Sequence, residues 1–212
     1  MLQWLTKAGD FPVQHIGGIP HFPQHVNTGW PPAGVLHTTE GGTIEGAMSV
    51  FRTHFAPHFV LGKSAHSGVV IYQLVPIGFI GAALVTHNNM AIVQVEMVGF
   101  SKETLWFTDD ETAAALAGLM AACRDEYGIP LSRPWADGVY GKASASDPHR
   151  NGGQFGKYAG WFGHGDVPAP DSHWDPGAFE WSKAFALAAK ISPRSPTAEP
   201  IAPARLCAGA AA

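Results

Sequence analysis

The amino-acid sequence predicts an α/β fold, a single domain built on a central mixed β-sheet flanked by helices. Three observations predict it. Short apolar runs rich in β-branched residues, at 35–37, 58–61, 69–75 and 91–98, are bounded by glycine, proline or asparagine and read as strands. From Asp109 to Tyr127 apolar residues instead recur at helical spacing. The two kinds of element interleave, which favours helices packed on a sheet. With 212 residues the chain can bury one sizeable core.

Residues 1–34 are expected to form an irregular arm packed on the domain, because Pro12, Gly17, Gly18, Pro20, Pro23, Gly29, Pro31 and Pro32 interrupt any regular element. Val35-Leu36-His37 is a short strand ending in the polar turn Thr38–Gly42. Thr43 then caps a helix whose Ala47, Met48, Phe51 and Phe55 share a face, with Pro57 as its stop. The strands at 58–61 and 69–75 are joined by a loop containing Gly62, Ser64 and Gly68. Ala91–Val98 is a further strand between Asn88-Asn89 and Gly99. Thr108 and Glu111 have the spacing of a capping box for the long helix, and Gly128 with Pro130 stops it. Residues 132–163 read as a glycine- and aromatic-rich loop, long enough to imply a function. A last helix follows Pro176 and runs through Phe179, Trp181, Phe185 and Leu187 to about Lys190. The domain proper spans 35–191, and 192–212 is a flexible Pro/Ala-rich tail.

Composition narrows the function classes. A net charge of −4 with no run of Lys or Arg argues against a nucleic-acid partner. No apolar stretch approaches the roughly 18–20 residues that span a bilayer, so membrane insertion is not expected. The segment Met1–Lys7 lacks the basic start and apolar core of a signal peptide. Synthesis in the cytoplasm is expected, with action on the cell wall only after release or delivery. Cys123, in a helical pattern, and Cys207, in the tail, read as free thiols. Eleven histidines make imidazole chemistry a better expectation than usual.

The most informative stretch is Gly163-His164-Gly165-Asp166, followed by His173-Trp174-Asp175-Pro176-Gly177. With His37 it supplies two imidazoles and a carboxylate, a donor set suited to one zinc ion per chain with a coordination position left open. His37 sits at a strand end, and Gly163 permits close backbone approach beside His164. Asp175 precedes a Pro-Gly turn that fixes its direction. Each histidine taken singly is more often a core or surface residue; the three side chains together reverse that balance. His173 is the competitor of Asp175 for the metal. Glu96, in Val93-Gln94-Val95-Glu96-Met97-Val98, is an acidic residue that is expensive to bury without a role.

These motifs resemble the zinc-dependent N-acetylmuramoyl-L-alanine amidases of the type 2 family, related to amidase-type phage lysozymes and peptidoglycan recognition proteins. The resemblance carried by Val-Leu-His-Thr-Thr, the 93–99 strand and the Gly-His-Gly-Asp…His-Trp-Asp-Pro-Gly segment covers roughly residues 30–190. It implies a zinc-floored groove and cleavage of the amide joining N-acetylmuramic acid to the first L-alanine of the stem peptide. It places the metal ligands on His37, His164 and Asp175, a proton-transfer carboxylate on Glu96, and an oxyanion donor on His173. Peptidoglycan or muropeptide is the implied partner. Weaker substrate-contact candidates are His58 and His87, and Trp135 and Trp161 (with Tyr140 and Tyr158) as flat apolar surfaces. His54 and His66 match no role, and Asp166 reads as a keeper of loop geometry. Two other readings share these motifs: a non-catalytic peptidoglycan-binding module, and an amidase restricted to soluble anhydromuropeptides.

Overall fold

Alternation of side chains along the strands decides which residues meet the helices and which are left for a site. A computed structural model of the chain describes residues 4–19, 29–54, 56–101, 109–135 and 153–193. Its strands are β1 (Lys7–Ala8), β2 (Phe11–His15), β3 (Ala33–Thr38), β4 (Phe59–Ser64), β5 (Gly68–Gln73), β6 (Val93–Met97) and β7 (Gly160–Gly163). Its helices are α1 (Ile44–Phe51), α2 (Asp110–Tyr127) and α3 (Trp181–Ala189). The strands form one mixed sheet ordered β1-β2-β5-β4-β6-β3-β7. Pairs β1–β2 and β4–β5 are antiparallel, and the other four are parallel.

Leu36, Phe59, Leu61, Val93, Val95 and Met97 point to one face, where they join α2 and α3 in the main core. Their neighbours Val35, Val60, Gln94 and Glu96 therefore point to the other face. There α1 covers β4 and β5 through Met48 and Phe51 against Val60 and Val70. Helix α2 is buried almost continuously from Ala115 to Cys123, because α3 covers the side that the sheet does not. Small residues make this sandwich possible, and a side chain at Gly118 would collide with the Ala8 carbonyl of β1. Buried Cys123 is a free thiol, as its helical pattern implied. Among the described residues no helix is long and apolar enough to cross a membrane.

Several sequence expectations are corrected. Residues 1–34 are not irregular throughout: Lys7–Ala8 and Phe11–His15 are strands, the second lying parallel to β5, and β3 already begins at Ala33. Only Val13 of β2 is buried, so the segment has no alternation to reveal it, and Pro12 argued the other way. The 58–75 hairpin places Gly62, Ser64 and Gly68 inside paired strands, with the turn at Ala65–Ser67. Helix α1 starts after Thr43, whose hydroxyl accepts the Gly46 amide, but it stops at Phe51 rather than near Pro57. Thr53 turns back there, its hydroxyl donating to the Val50 carbonyl. Phe55 and Thr108 lie outside the described residues; α2 is capped by Asp109, whose Oδ1 accepts the Thr112 amide at 2.7 Å. Gly128, at φ +69°, ends that helix as expected. The supposed loop at 132–163 closes with a strand, β7, paired in parallel with β3. Finally, α3 begins at Trp181, with Phe179 buried just before it.

Candidate metal centre and its groove

Three stretches of chain converge beyond the ends of β3, β6 and β7. His37 and Glu96 are register partners across β3 and β6, on the face that α2 leaves free. Gly163 ends β7 beside Leu36, so His164 emerges next to His37 and opens a short 3-10 turn, His164–Asp166. A Cβ at Gly163 would lie 2.7 Å from Pro176 Cδ, so only glycine lets the 174–177 turn approach this closely. That turn is pinned by Gly165 N–H donating to the Asp175 carbonyl at 2.9 Å and Gly177 N–H donating to Trp174 O at 3.1 Å. The Asp175 side chain is aimed by Oδ2 accepting the Thr38 amide at 3.1 Å.

His37 Nδ1 and His164 Nδ1 face each other at 3.0 Å. Asp175 Oδ2 is 3.6 Å from the first and Oδ1 is 3.5 Å from the second. All three residues are buried, and one atom from each lies within 4.8 Å of the others. Zinc bound tetrahedrally at 2.0–2.1 Å requires ligand atoms about 3.3 Å apart. Two imidazole nitrogens 3.0 Å apart, with a carboxylate whose two oxygens each stand 3.5–3.6 Å from one of them, come close to that requirement. The donor set is also right for zinc, and three protein ligands leave room for a fourth.

The charges of these side chains follow from burial and from their neighbours. Burial, helped by His164, pulls His37 from 6.5 to about 3. Burial also disfavours a His164 cation, but Asp171 and Asp175 outweigh it and push that imidazole up to about 9. Asp175 is held well below the usual carboxylate range against burial by His164 and His173. Glu96 is pushed up to about 8 by burial and then by the charge of Asp175. Its Oε2 is buried without a hydrogen-bond partner among the described residues. Such an orphaned oxygen is costly unless a proton or a ligand reaches it.

These residues floor a cavity of about 820 Å³. One wall is α1 with His54; the other is the 82–85 segment with Asn88. His173 lines it too, with its side chain 54% exposed and its ring stacked on His164 at 4.2 Å between centroids. Its Nδ1 is 3.6 Å from Asp175 Oδ1, so the expected competitor of Asp175 lies beside the three candidate ligands. Glu40 also lines the groove at φ +48°, its Oε1 accepting from Thr38 Oγ1 and Ser101 N–H, both at 2.8 Å.

The weaker substrate-contact candidates lie elsewhere. His58 is fully buried: Nδ1 accepts the Gln94 amide at 3.1 Å and Nε2 donates to Phe79 O at 3.0 Å. It supports the strands under the groove and cannot touch a substrate. Trp161 is likewise fully buried in the α2-side core, lying over Gly34. Trp135 packs edge-on against Phe162, away from the cavity lining. His87 stands behind the 82–85 wall with Nδ1 3.0 Å from Asp171 Oδ2. Tyr158 is exposed away from the cavity lining, and Tyr140 lies outside the described residues. Asp166 keeps loop geometry as expected, accepting the Gly163 amide at 2.6 Å and pairing with buried Arg133 at 3.1 Å. Sequence reasoning missed Asp171, Glu40 and His54. A loop aspartate that meets residues more than eighty positions away carries no local signal.

A family model described as N-acetylmuramoyl-L-alanine amidase matches residues 28–178. No curated protein sequence matches the chain significantly. Among solved structures, Staphylococcus aureus hydrolase AmiA in complex with its ligand is similar at 16% identity and a TM-score of 0.54, covering 89% of each chain. The endolysin N-acetylmuramoyl-L-alanine amidase LysCS from Clostridium intestinale URNW is similar at 16% identity and a TM-score of 0.50. That likeness covers 84% of this chain and 96% of the other. At such identities the two structures establish a shared fold.

Proposed function

The chain belongs to the N-acetylmuramoyl-L-alanine amidase family, and from that premise we propose that it is a zinc-dependent hydrolase of the bond between N-acetylmuramic acid and L-alanine in peptidoglycan. The observation that carries this reading is the convergence of His37 Nδ1, His164 Nδ1 and the Asp175 carboxylate at 3.0–3.6 Å, beside the orphaned oxygen of Glu96. Zinc held by these three side chains supplies a Lewis acid and lowers the pKa of water towards neutrality.

The chain's own residues divide the remaining work. Glu96, pushed up to about 8 by burial and Asp175 despite the His164 charge, would be drawn back towards neutral pH by a divalent cation held beside it. A carboxylate tuned near the working pH takes a proton from the attacking water and returns it to the departing L-alanine amine. His173, half exposed at the cavity edge, donates a ring N–H to the oxyanion that develops on the attacked carbonyl. The walls formed by α1 and 82–85 flank the floor and hold the substrate over it.

The test is digestion of purified sacculi and of soluble anhydromuropeptide, with mass spectrometry of the products and elemental analysis of the protein. Release of stem peptide beginning at L-alanine, lost on chelation and restored by zinc, is expected. Zinc-loaded protein that binds sacculi but releases nothing would establish a binding module instead. Release from the soluble substrate alone would establish a muropeptide enzyme.

A further inference from the structure

We propose that Asp171 is a positioning residue: it sets which ring nitrogen of His164 is presented to the metal and ties that ligand to the wall of the groove. This role rests on the zinc-amidase reading and adds a residue outside the three ligands and the Glu96–His173 pair.

Asp171 is 2% exposed, and each of its oxygens serves two donors. Oδ1 accepts from His164 Nε2 at 2.9 Å and from the Val85 amide at 2.8 Å. Oδ2 accepts from Thr86 Oγ1 at 3.3 Å and faces His87 Nδ1 at 3.0 Å. A neutral imidazole carries its proton on one nitrogen only, and an ionised carboxylate can only accept. Once a metal displaces the second proton of His164, the one that remains belongs on Nε2 beside Asp171, and the Nδ1 lone pair faces His37 and Asp175. Metal-bound histidines are commonly oriented in this way by a partner on the far nitrogen. The contrast with His37 is instructive. Its Nε2 is buried without a partner among the described residues, so of the two imidazoles only His164 is oriented by a side chain behind it.

The other bonds of Asp171 reach a different part of the site. Val85 lines the cavity with its side chain 57% exposed, and its amide is held by the carboxylate that holds His164. One side chain thus ties the loop that carries His164 to the 82–88 segment, through contacts 84–86 positions apart in sequence. Were Asp171 only a loop anchor, its bonds to Val85 and Thr86 would suffice and the metal would be indifferent to it. A positioning role makes the metal sensitive.

The experiment compares the full-length parent with Asp171→Ala, Asp171→Asn and Thr86→Val. Zinc affinity is measured by competition with a chromophoric chelator, ligand geometry by the visible absorption of the cobalt(II) form, and stability by melting of the metal-free protein. Asp171→Ala is expected to weaken zinc binding by about 10- to 100-fold and to alter the cobalt spectrum. Asp171→Asn keeps an acceptor for His164 Nε2 and the Val85 amide, so it should recover part of that loss. Because it is nearly isosteric, it decides the matter even if the alanine variant does not fold. Thr86→Val removes the hydroxyl's contacts with Asp171 Oδ2 and with His87 Nδ1 (2.8 Å), neither of which involves His164, and should leave zinc affinity unchanged. The proposal is overturned if both Asp171 variants keep the parent's zinc affinity and spectrum, even with a lower melting temperature. It is equally overturned if Thr86→Val weakens zinc as much as Asp171→Ala. A parent that binds no zinc would overturn this role and the amidase reading together. A parent that binds zinc and releases stem peptide, with unaffected Asp171 variants, would overturn this role alone.

Discussion

Glu96 is the side chain whose environment most strongly constrains its chemistry, because burial and the neighbouring Asp175 both oppose its ionisation. The folded, metal-free protein holds it protonated up to about 8, against 4.5 ordinarily. A carboxyl raised on folding stabilises most below its unfolded pKa, and that contribution is lost as pH rises through the folded value. Replacing it with an uncharged isostere removes the dependence. Glu96→Gln should therefore gain stability relative to the parent as pH rises from 4.5 to about 8, read by denaturant melts of chelator-treated protein across that range. The difference between the two proteins isolates this residue from the titrating histidines. The same variant should retain zinc yet lose turnover by about 100- to 10,000-fold on sacculi. A variant that digests sacculi at the parent rate would remove Glu96 from the reaction. Glu96 was legible as a candidate because an acid in a mostly apolar strand needs a reason to be there. His58 and Trp161 were misplaced because neither residue type nor spacing reveals which sheet face points at solvent.

The element that delivers His164 is short, and its stability comes from outside itself. Strand β7 has four residues, and the turn after it is fixed by Asp166, which receives both the Gly163 amide and the Arg133 guanidinium. Arg133 in turn lies 4.5 Å from the Trp181 ring centroid and 5.3 Å from that of Trp135. Both charged side chains are almost wholly buried, at 2% and 0% exposure. Breaking one side of such a pair leaves the other charge stranded and costs about 3–5 kcal/mol. Arg133→Met should lose stability on that scale by urea denaturation, and adding Asp166→Asn should recover part of it. A single variant that melts like the parent would mean the pair does not hold the turn. Strand β7 was not legible because Gly-Trp-Phe-Gly is fully buried and flanked by glycine, giving neither alternation nor length. Strand β2 was hidden for the opposite reason, with one buried residue among exposed ones. By contrast α2 was legible nearly to the residue, since eighteen positions sum a periodic signal that four cannot.

At the scale of the molecule, the proposed ligands come from residue 37 on an interior strand and from residues 164 and 175 near the other end of the chain. A cation bound there crosslinks distant parts of the fold and stabilises it by mass action, by about 4 kcal/mol when free zinc is a thousand times its Kd. The melting temperature should therefore rise with added zinc and fall on chelation. The gain should grow with pH, because zinc must displace the proton that keeps His164 charged up to about 9. Equal melting with and without zinc across pH 6.5–9 would contradict a metal at these atoms. The α/β architecture was legible because its longer strands and α2 keep their periods. Two members of the proposed donor set were legible because His164 and Asp175 stand in a compact motif, and His37, 127 positions away from His164, because it closes an apolar strand, whereas Asp171 acts only through contacts made by folding.

The sheet order places β3 between β6 and β7, while β7 is the outermost strand on its side among the described residues. His37 therefore sits on a strand paired with strands on both flanks, and His164 follows one paired with a strand on a single flank, its outer side held at Trp161 N–H by the Ser132 carbonyl alone among the described residues. Opening of the centre is thus directional, beginning at the rim of the sheet. Under deuterium labelling after chelation, amides in 163–177 should take up label early, while those of β3 stay dark until the whole protein unfolds.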